Sequence, residues 1–184
     1  VRRRTPIVAG YETATARLHS DGTMHLLVAI HSHGQGMETT LAQIANEEVG
    51  IDPDDVSVRF GDTDISPFGM GTFASRSIVM GGGAVSNACI ALREKMAGIA
   101  AHHLQCDAAA IRFAEGAAHG PSGSITLAEI GHIAHLRQEQ LPNGMDPVLD
   151  VTATYEPAQS SGLFSYSTKA AEVADDPPTG ADEI

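Results

Sequence analysis

The hydropathy period changes twice between residues 24 and 60, and that switch limits the chain to an α/β arrangement. Residues 24–31 (MHLLVAIH) form an apolar run bounded by turn residues, the pattern of a strand. From Glu38, ETTLAQIANEEVG places Leu41, Ile44, Ala45 and Val49 on one helical face, with Gly50 as the stop and Pro53 beyond it. Residues 55–60 (DVSVRF) return to alternation as a short strand. A glycine turn, Gly34-Gln35-Gly36, links the first strand to the helix.

The rest of the chain supplies partners for these elements. Residues 7–19 alternate in part and meet the 24–31 strand across Ser20-Asp21-Gly22-Thr23, which reads as a hairpin. Residues 61–71 carry three glycines and a proline and form an irregular loop of a length that usually serves a function. A long helical run extends from about Ala74 to Leu104 with Gly81-Gly82-Gly83 inside it. Each glycine costs about 1 kcal/mol in a helix interior, so either the helix starts after them or something approaches its backbone closely. Residues 107–123 read as a strand pair around Glu115-Gly116, and Leu127 opens a short helix capped by Thr126. Residues 137–147 are polar loop, 149–156 and 163–173 are strand candidates, and a turn at 176–180 precedes one more strand start at Ile184. The chain reads as a single partial domain, 1–184, truncated at both ends.

Composition narrows the function. With 42% hydrophobic and 18% charged residues among 184, the chain can bury a sizeable core. Eleven Lys and Arg against 23 Asp and Glu give a net charge of −12, and aromatics are only 4% with no Trp. That balance excludes a general nucleic-acid binder. No apolar stretch reaches the roughly 18 residues of a membrane helix, and no signal-peptide layout opens the chain, so a soluble, cytoplasmic protein is expected. Cys89 and Cys106 are too few for a disulfide framework, a zinc site or an iron-sulfur cluster, and read as buried thiols.

Two segments carry possible chemistry, each at the start of a helix, where backbone N–H groups bind anions. In the first, Gly34 and Gly36 flank Gln35, whose amide offers both donors and an acceptor. It lacks the third glycine of a dinucleotide fingerprint and the Gly-Lys-Ser/Thr of a P-loop, and a plain strand-to-helix turn is the alternative. The second is Gly71-Thr72-Phe73-Ala74-Ser75-Arg76-Ser77, with three hydroxyls and a guanidinium. Such a set suits a phosphate or pyrophosphate ester. It also suits an N-capping cluster with a solvent-facing Arg76. His31 and His33 could share a strand face but have no third ligand near in sequence. His102, His103, His132 and His135 read as polar helix-face residues, and Glu38, Asp62 and Asp64 as caps or turn residues with acid-base work as the alternative. No nucleophile motif is present, so no catalytic residue is assigned.

The combination HGQGMETTLAQIANEEVGI, VSVRFGDTD and PFGMGTFASRS, followed by glycines, resembles the molybdenum-cofactor-binding large subunit of the xanthine dehydrogenase, aldehyde oxidase and carbon monoxide dehydrogenase family. It looks most like the bacterial carbon-monoxide-dehydrogenase-type branch. The resemblance runs from about Tyr11 to Gly180 and includes Tyr155-Glu156-Pro157 and FSYSTKAAEV; Asp175 stands where the family has an apolar strand residue.

The resemblance implies an α/β (α+β) fold in which a mixed sheet carries helices. It implies that Gly34, Gln35 and Gly36 lie against the pterin-dithiolene and that Gly71, Thr72, Ala74, Ser75, Arg76 and Ser77 bind the pterin and its phosphate. Molybdenum is then held by the cofactor's dithiolene and by no direct protein ligand. The expected cofactor is molybdopterin, as the cytosine dinucleotide, with iron-sulfur and flavin centres on other chains or domains. Expected partners are the remainder of the large subunit, iron-sulfur and FAD subunits and a small-molecule substrate. The family's base, a glutamate in a Gly-x-Gly-Glu motif, is absent from these residues, so the isolated chain is expected to be inactive. A non-catalytic assembly domain and a phosphate-ester-binding module are the rival readings.

Overall fold

The computed structural model describes residues 10–157, 174–176 and 181–183. Strands β1 (Glu12–Leu18) and β2 (Met24–Val28) form the expected hairpin, in register from Ala14 opposite Val28 to Leu18 opposite Met24. The Asp21 carboxylate accepts the Thr23 N–H and hydroxyl at 3.0 and 2.7 Å and closes the turn. Helix α1 (Met37–Val49) buries Leu41, Ala45 and Val49 completely, with Ile44 at the edge of the same face. It ends where Gly50 enters the left-handed region at φ 68°. That glycine is required, because a Cβ there would lie 2.6 Å from the Ala114 backbone. A 3-10 turn at Pro53–Asp55 leads into β3 (Val56–Arg59), which runs parallel to β2.

The long helix settles the question its glycines raised. A π-helical turn, Ser77–Gly81, passes without a break into α2 (Gly82–Leu104), so the glycines lie inside one continuous helix. They are there for close approach. A Cβ on Gly81 would sit 2.5 Å from Ile30 Cδ1, and one on Gly83 would sit 2.4 Å from the Tyr155 ring. Without them α2 could not settle onto the sheet, where Ala14 and Ala16 of β1 and Ala84, Val85, Ala88 and Leu92 of α2 are all fully buried.

Beyond α2, β4 (Arg112–Ala114) and β5 (Ala117–Gly120) turn around Glu115-Gly116 as expected. A third strand, β6 (Gly123–Thr126), continues past the expected pair. It stops at Thr126, which caps α3 (Leu127–Leu136) through a reciprocal bond pair with Glu129. Strand β7 (Asp150–Tyr155) then returns to the first sheet and pairs antiparallel with β1. The ribbon β8 (Ala174–Asp176) and β9 (Ala181–Glu183) places Asp175 opposite Asp182. The candidate strand at 163–173 and most of the turn at 176–180 lie outside the described residues.

The main sheet therefore has the order β3-β2-β1-β7, mixed as expected, with a second sheet β4-β5-β6 beside it. Both cysteines are free. Cys89 is buried in α2, and burial, with Glu48 adding to it, pushes its thiol up to about 12, so it is packing and not a nucleophile. Among the described residues no helix is long and apolar enough to cross a membrane.

Candidate functional site

The carboxyl ends of β2 and β3 point the same way because the two strands are parallel. Ligands of α/β sheets collect outside such ends. The chain leaving β2 enters α1 through residues 29–36, and the chain leaving β3 enters the π-helical turn through residues 60–76. Both turns singled out in the sequence thus stand on one edge of the sheet.

One side chain joins them. Thr72 Oγ1 accepts the His31 N–H at 2.7 Å and donates to the His31 carbonyl at 2.7 Å. It also accepts the Ser77 hydroxyl at 3.0 Å. The exit of β2, the loop and the start of the π-helical turn are therefore tied at a single hydroxyl whose bonding capacity is full.

In the first turn, Gly34 and Gly36 adopt φ of 91° and 73°, and a Cβ at either would meet nothing within 4 Å. These glycines serve backbone conformation beside open space, the reverse of the packed glycines in α2. Gln35 is exposed, and its side-chain oxygen accepts the His33 N–H. That bond turns the amide N–H₂ outward as the free donor. Glu38, in the first turn of α1, is held below the usual carboxylate range by its own backbone N–H and by the Ser32 hydroxyl. It acts as a cap. Asp62 likewise accepts the Asp64 N–H at 2.9 Å as a turn residue.

In the second turn, Ala74 and Ser75 have φ of 51° and 59°, and the Arg76 N–H donates to the Phe73 carbonyl at 3.1 Å. Positive φ at both central positions is the pattern of a type I′ turn, costly for residues other than Gly, Asn or Asp. Ala74 and Ser75 are exposed, and their N–H groups have no acceptor among the described residues. Ser77 is buried. Gly71, at φ 86°, also faces open space.

Arg76 departs from both roles that the sequence offered it. It neither faces solvent nor stands free to offset a ligand's charge: it is 5% exposed and ion-paired with Glu12, which is 0% exposed. Its guanidinium lies over the Phe73 ring at 5.3 Å and donates to the Gly71 carbonyl at 2.9 Å. Arg76 Nε and Nη2 and Glu12 Oε2 are buried without a partner among the described residues. Sequence reasoning missed Glu12, although the signal was present: it is in phase with Ala14, Ala16 and Leu18 of β1, all fully buried.

His31 and His33 gather no third ligand among the described residues. His31 and His33 rings sit 5.3 Å apart, and His31 leans on Phe60 at 4.8 Å. Among the described residues no group of three His, Cys, Asp or Glu could hold a metal ion. The edge thus offers uncharged donors, open glycine backbone and no ligand cluster. That donor set fits an organic cofactor carrying phosphate.

Residues 4–184 match the molybdopterin cofactor-binding domain. The chain belongs to that family. It is 31% identical over 173 residues to the nicotine 6-hydroxylase large subunit of Paenarthrobacter nicotinovorans, covering 92% of this chain and 21% of that one. It is 40% identical over 98 residues to the carbon monoxide dehydrogenase large chain of Afipia carboxidovorans, covering 53% of this chain and 12% of that one. The crystal structure of quinoline 2-oxidoreductase from Pseudomonas putida 86 superposes with a TM-score of 0.78 and 33% identity, over 83% of this chain and 20% of that one. The chain thus spans about a fifth of the length of nicotine 6-hydroxylase's large subunit. As a molybdopterin cofactor-binding domain it has the mixed sheet with packed helices of its structural neighbours.

Proposed function

We propose that this domain seats the pterin and phosphate of molybdopterin in the large subunit of a molybdenum hydroxylase. Gly34, Gln35, Gly36, Gly71, Ala74 and Ser75 provide the contacts, Thr72 and Ser77 hold the turns in place through their own hydroxyl bonds, and Arg76 supports them from behind the turn. The observation that carries this reading is the clasp of His31 and Thr72, which brings two donor-rich turns to one sheet edge. The exposed N–H groups of Ala74 and Ser75 suit phosphate oxygens, and the outward Gln35 amide suits the cofactor near its dithiolene. When bound, the cofactor supplies the redox centre for hydroxylation with water as the oxygen source, or for carbon monoxide oxidation.

Two of the relatives are named for N-heterocycles, nicotine and quinoline, and one for carbon monoxide. These, with aldehydes, are the substrate classes of the proposal. The catalytic base, the electron-transferring iron-sulfur and flavin centres and most of the substrate pocket then belong to other parts of the enzyme. The rim of the site exposes Ile65, Phe68, Met70, Phe73 and Ile78, an apolar margin suited to burial against the remainder of the large subunit. A cytosine dinucleotide tail completes the proposed cofactor.

The test is cofactor analysis of the enzyme assembled around this chain after co-expression with cofactor biosynthesis. Molybdenum and a pterin in about equal amounts are expected, with cytidine phosphate released on hydrolysis. Purified enzyme devoid of both molybdenum and pterin would leave the assembly-domain reading in its place.

A further inference from the structure

We propose that Glu12 is a positioning residue for the cofactor turn: its buried carboxylate clamps both ends of residues 70–76 and holds the turn ready before cofactor binds. This rests on the reading of residues 71–77 as cofactor contacts.

The bonds converge on one atom. Glu12 Oε1 accepts the Met70 N–H at 2.7 Å and the Gly71 N–H at 3.2 Å, at the start of the turn, and Arg76 Nη1, at its end. Arg76 Nη1 closes the ring by donating to the Gly71 carbonyl at 2.9 Å. The turn between these anchors holds the two left-handed residues, Ala74 and Ser75. Such backbone persists only where its surroundings over-determine it. Glu12 comes from β1, a central strand of the sheet, so the clamp ties the turn to the most rigid part of the fold.

The neighbours are shaped around that carboxylate. A Cβ on Gly69 would lie 2.0 Å from Glu12 Oε2 and 2.4 Å from the Ala29 Cβ, so only glycine fits there. Because Glu12 meets the charge of Arg76 internally, the face left for a ligand consists of neutral N–H and O–H groups. A structural ion pair alone would need neither the two backbone N–H bonds nor the glycine.

The test uses the double variant Glu12→Leu with Arg76→Met in the enzyme assembled around this chain. Replacing both partners together leaves no unpaired buried charge, so the variant is expected to fold, although the Met70 and Gly71 N–H groups lose their acceptor. Two quantities are measured: hydrogen exchange of the Met70, Gly71 and Arg76 amides in cofactor-free enzyme, and molybdenum and pterin retained after purification. The expected result is a cooperatively folded variant with a somewhat lower melting temperature, exchange at those amides faster by about tenfold or more, and cofactor retention lower by a similar factor. Amides of β1 and α2 keep their protection. Unchanged exchange at 70–76 in the folded variant overturns the clamp. Faster exchange with full retention also overturns the proposal and places the fault in the reading of the turn as a cofactor contact. If the double variant does not fold, Glu12→Gln, which keeps an oxygen for the two N–H groups, is expected to show the same local signature at smaller amplitude. Its absence there overturns the proposal equally.

Discussion

The hydroxyl of Thr72 stands in for a strand partner to His31, bonding both its N–H and its carbonyl at 2.7 Å. β2 ends at Val28, three residues earlier, so this contact extends the order of the sheet into the site without a further strand. It also fixes the distance between the two turns, because each is attached to one of the two residues.

Thr72→Val keeps the shape and removes every one of those bonds. Each bond contributes on the order of 1 kcal/mol, more where a buried group is left unpaired. The expected outcome is a loss of stability of about 1–3 kcal/mol, read by denaturant unfolding, together with reduced molybdenum and pterin content. Thr72→Ser, which restores the hydroxyl, is expected to recover most of both. Equal cofactor content in Thr72→Val and the parent would show that the clasp does not organise the site.

The glycines of the continuous helix through 77–104 should respond to alanine in opposite senses. At Gly83 and Gly81 the added Cβ meets Tyr155 at 2.4 Å or Ile30 at 2.5 Å, and overpacking of this kind costs about 1–3 kcal/mol. At Gly98 the nearest atoms are the methyl and sulfur of Met145 at 3.6 and 3.9 Å, an ordinary contact. There the helix gain of about 1 kcal/mol is expected to appear undiminished. Melting temperatures should therefore fall for Gly83→Ala and Gly81→Ala and rise for Gly98→Ala. A rise for all three would mean that α2 does not need its close approach to the sheet.

What the sequence disclosed, and what it hid, follow from locality. The hairpin, α1, the Thr126 cap and the two turns were legible because each depends on residues within a few positions of one another. The return of β7 to β1, the join of the turns at His31 and Thr72 and the pairing of Glu12 with Arg76 depend on neighbours 41 to 137 positions apart, and no local pattern carries them. Gly81 and Gly83 lay between these cases. Their cost in a helix was readable, but their partners Ile30 and Tyr155 were not. Arg76 was misplaced for the same reason: beside two serines it reads as a surface cation, and only Glu12 on a distant strand makes it a buried one.

The capping box of α3 predicts a pH dependence. Glu129 accepts the Thr126 N–H and hydroxyl, both at 2.9 Å, and these bonds hold its carboxyl below the usual carboxylate range. A depressed folded value means that the stabilisation is present above the unfolded carboxylate value and is lost as pH falls through the folded one. Glu129 is exposed, so the effect is small. Thr126→Ala removes the cap and is expected to cost about 1 kcal/mol at neutral pH, with a smaller difference from the parent at pH 3. Unfolding curves at the two pH values check this. A difference that does not shrink in acid would assign the cap's worth to the Thr126 hydroxyl bond with the Glu129 N–H at 3.1 Å alone.

Gln35 separates turn structure from ligand contact. Its side-chain oxygen already serves the His33 N–H, so only the amide N–H₂ remains for a ligand. Gln35→Glu keeps an oxygen for His33 and exchanges the outward donor for a negative charge, beside the N-terminal turn of α1 where carboxylates are tolerated. The fold should therefore hold, with a melting temperature near that of the parent. An anionic, phosphate-bearing cofactor would meet an acceptor and a like charge where it had met a donor, and charge-assisted contacts of this kind amount to about 1.5–3 kcal/mol. Retention should fall by about tenfold to a hundredfold, and Gln35→Ala should lie between the parent and Gln35→Glu. The measurement is molybdenum and pterin content of the three purified enzymes at matched concentration, with circular dichroism as the check on folding. Equal content in Gln35→Glu and the parent would remove Gln35 from the cofactor contacts and leave the Gly34-Gln35-Gly36 turn as a strand-to-helix connection.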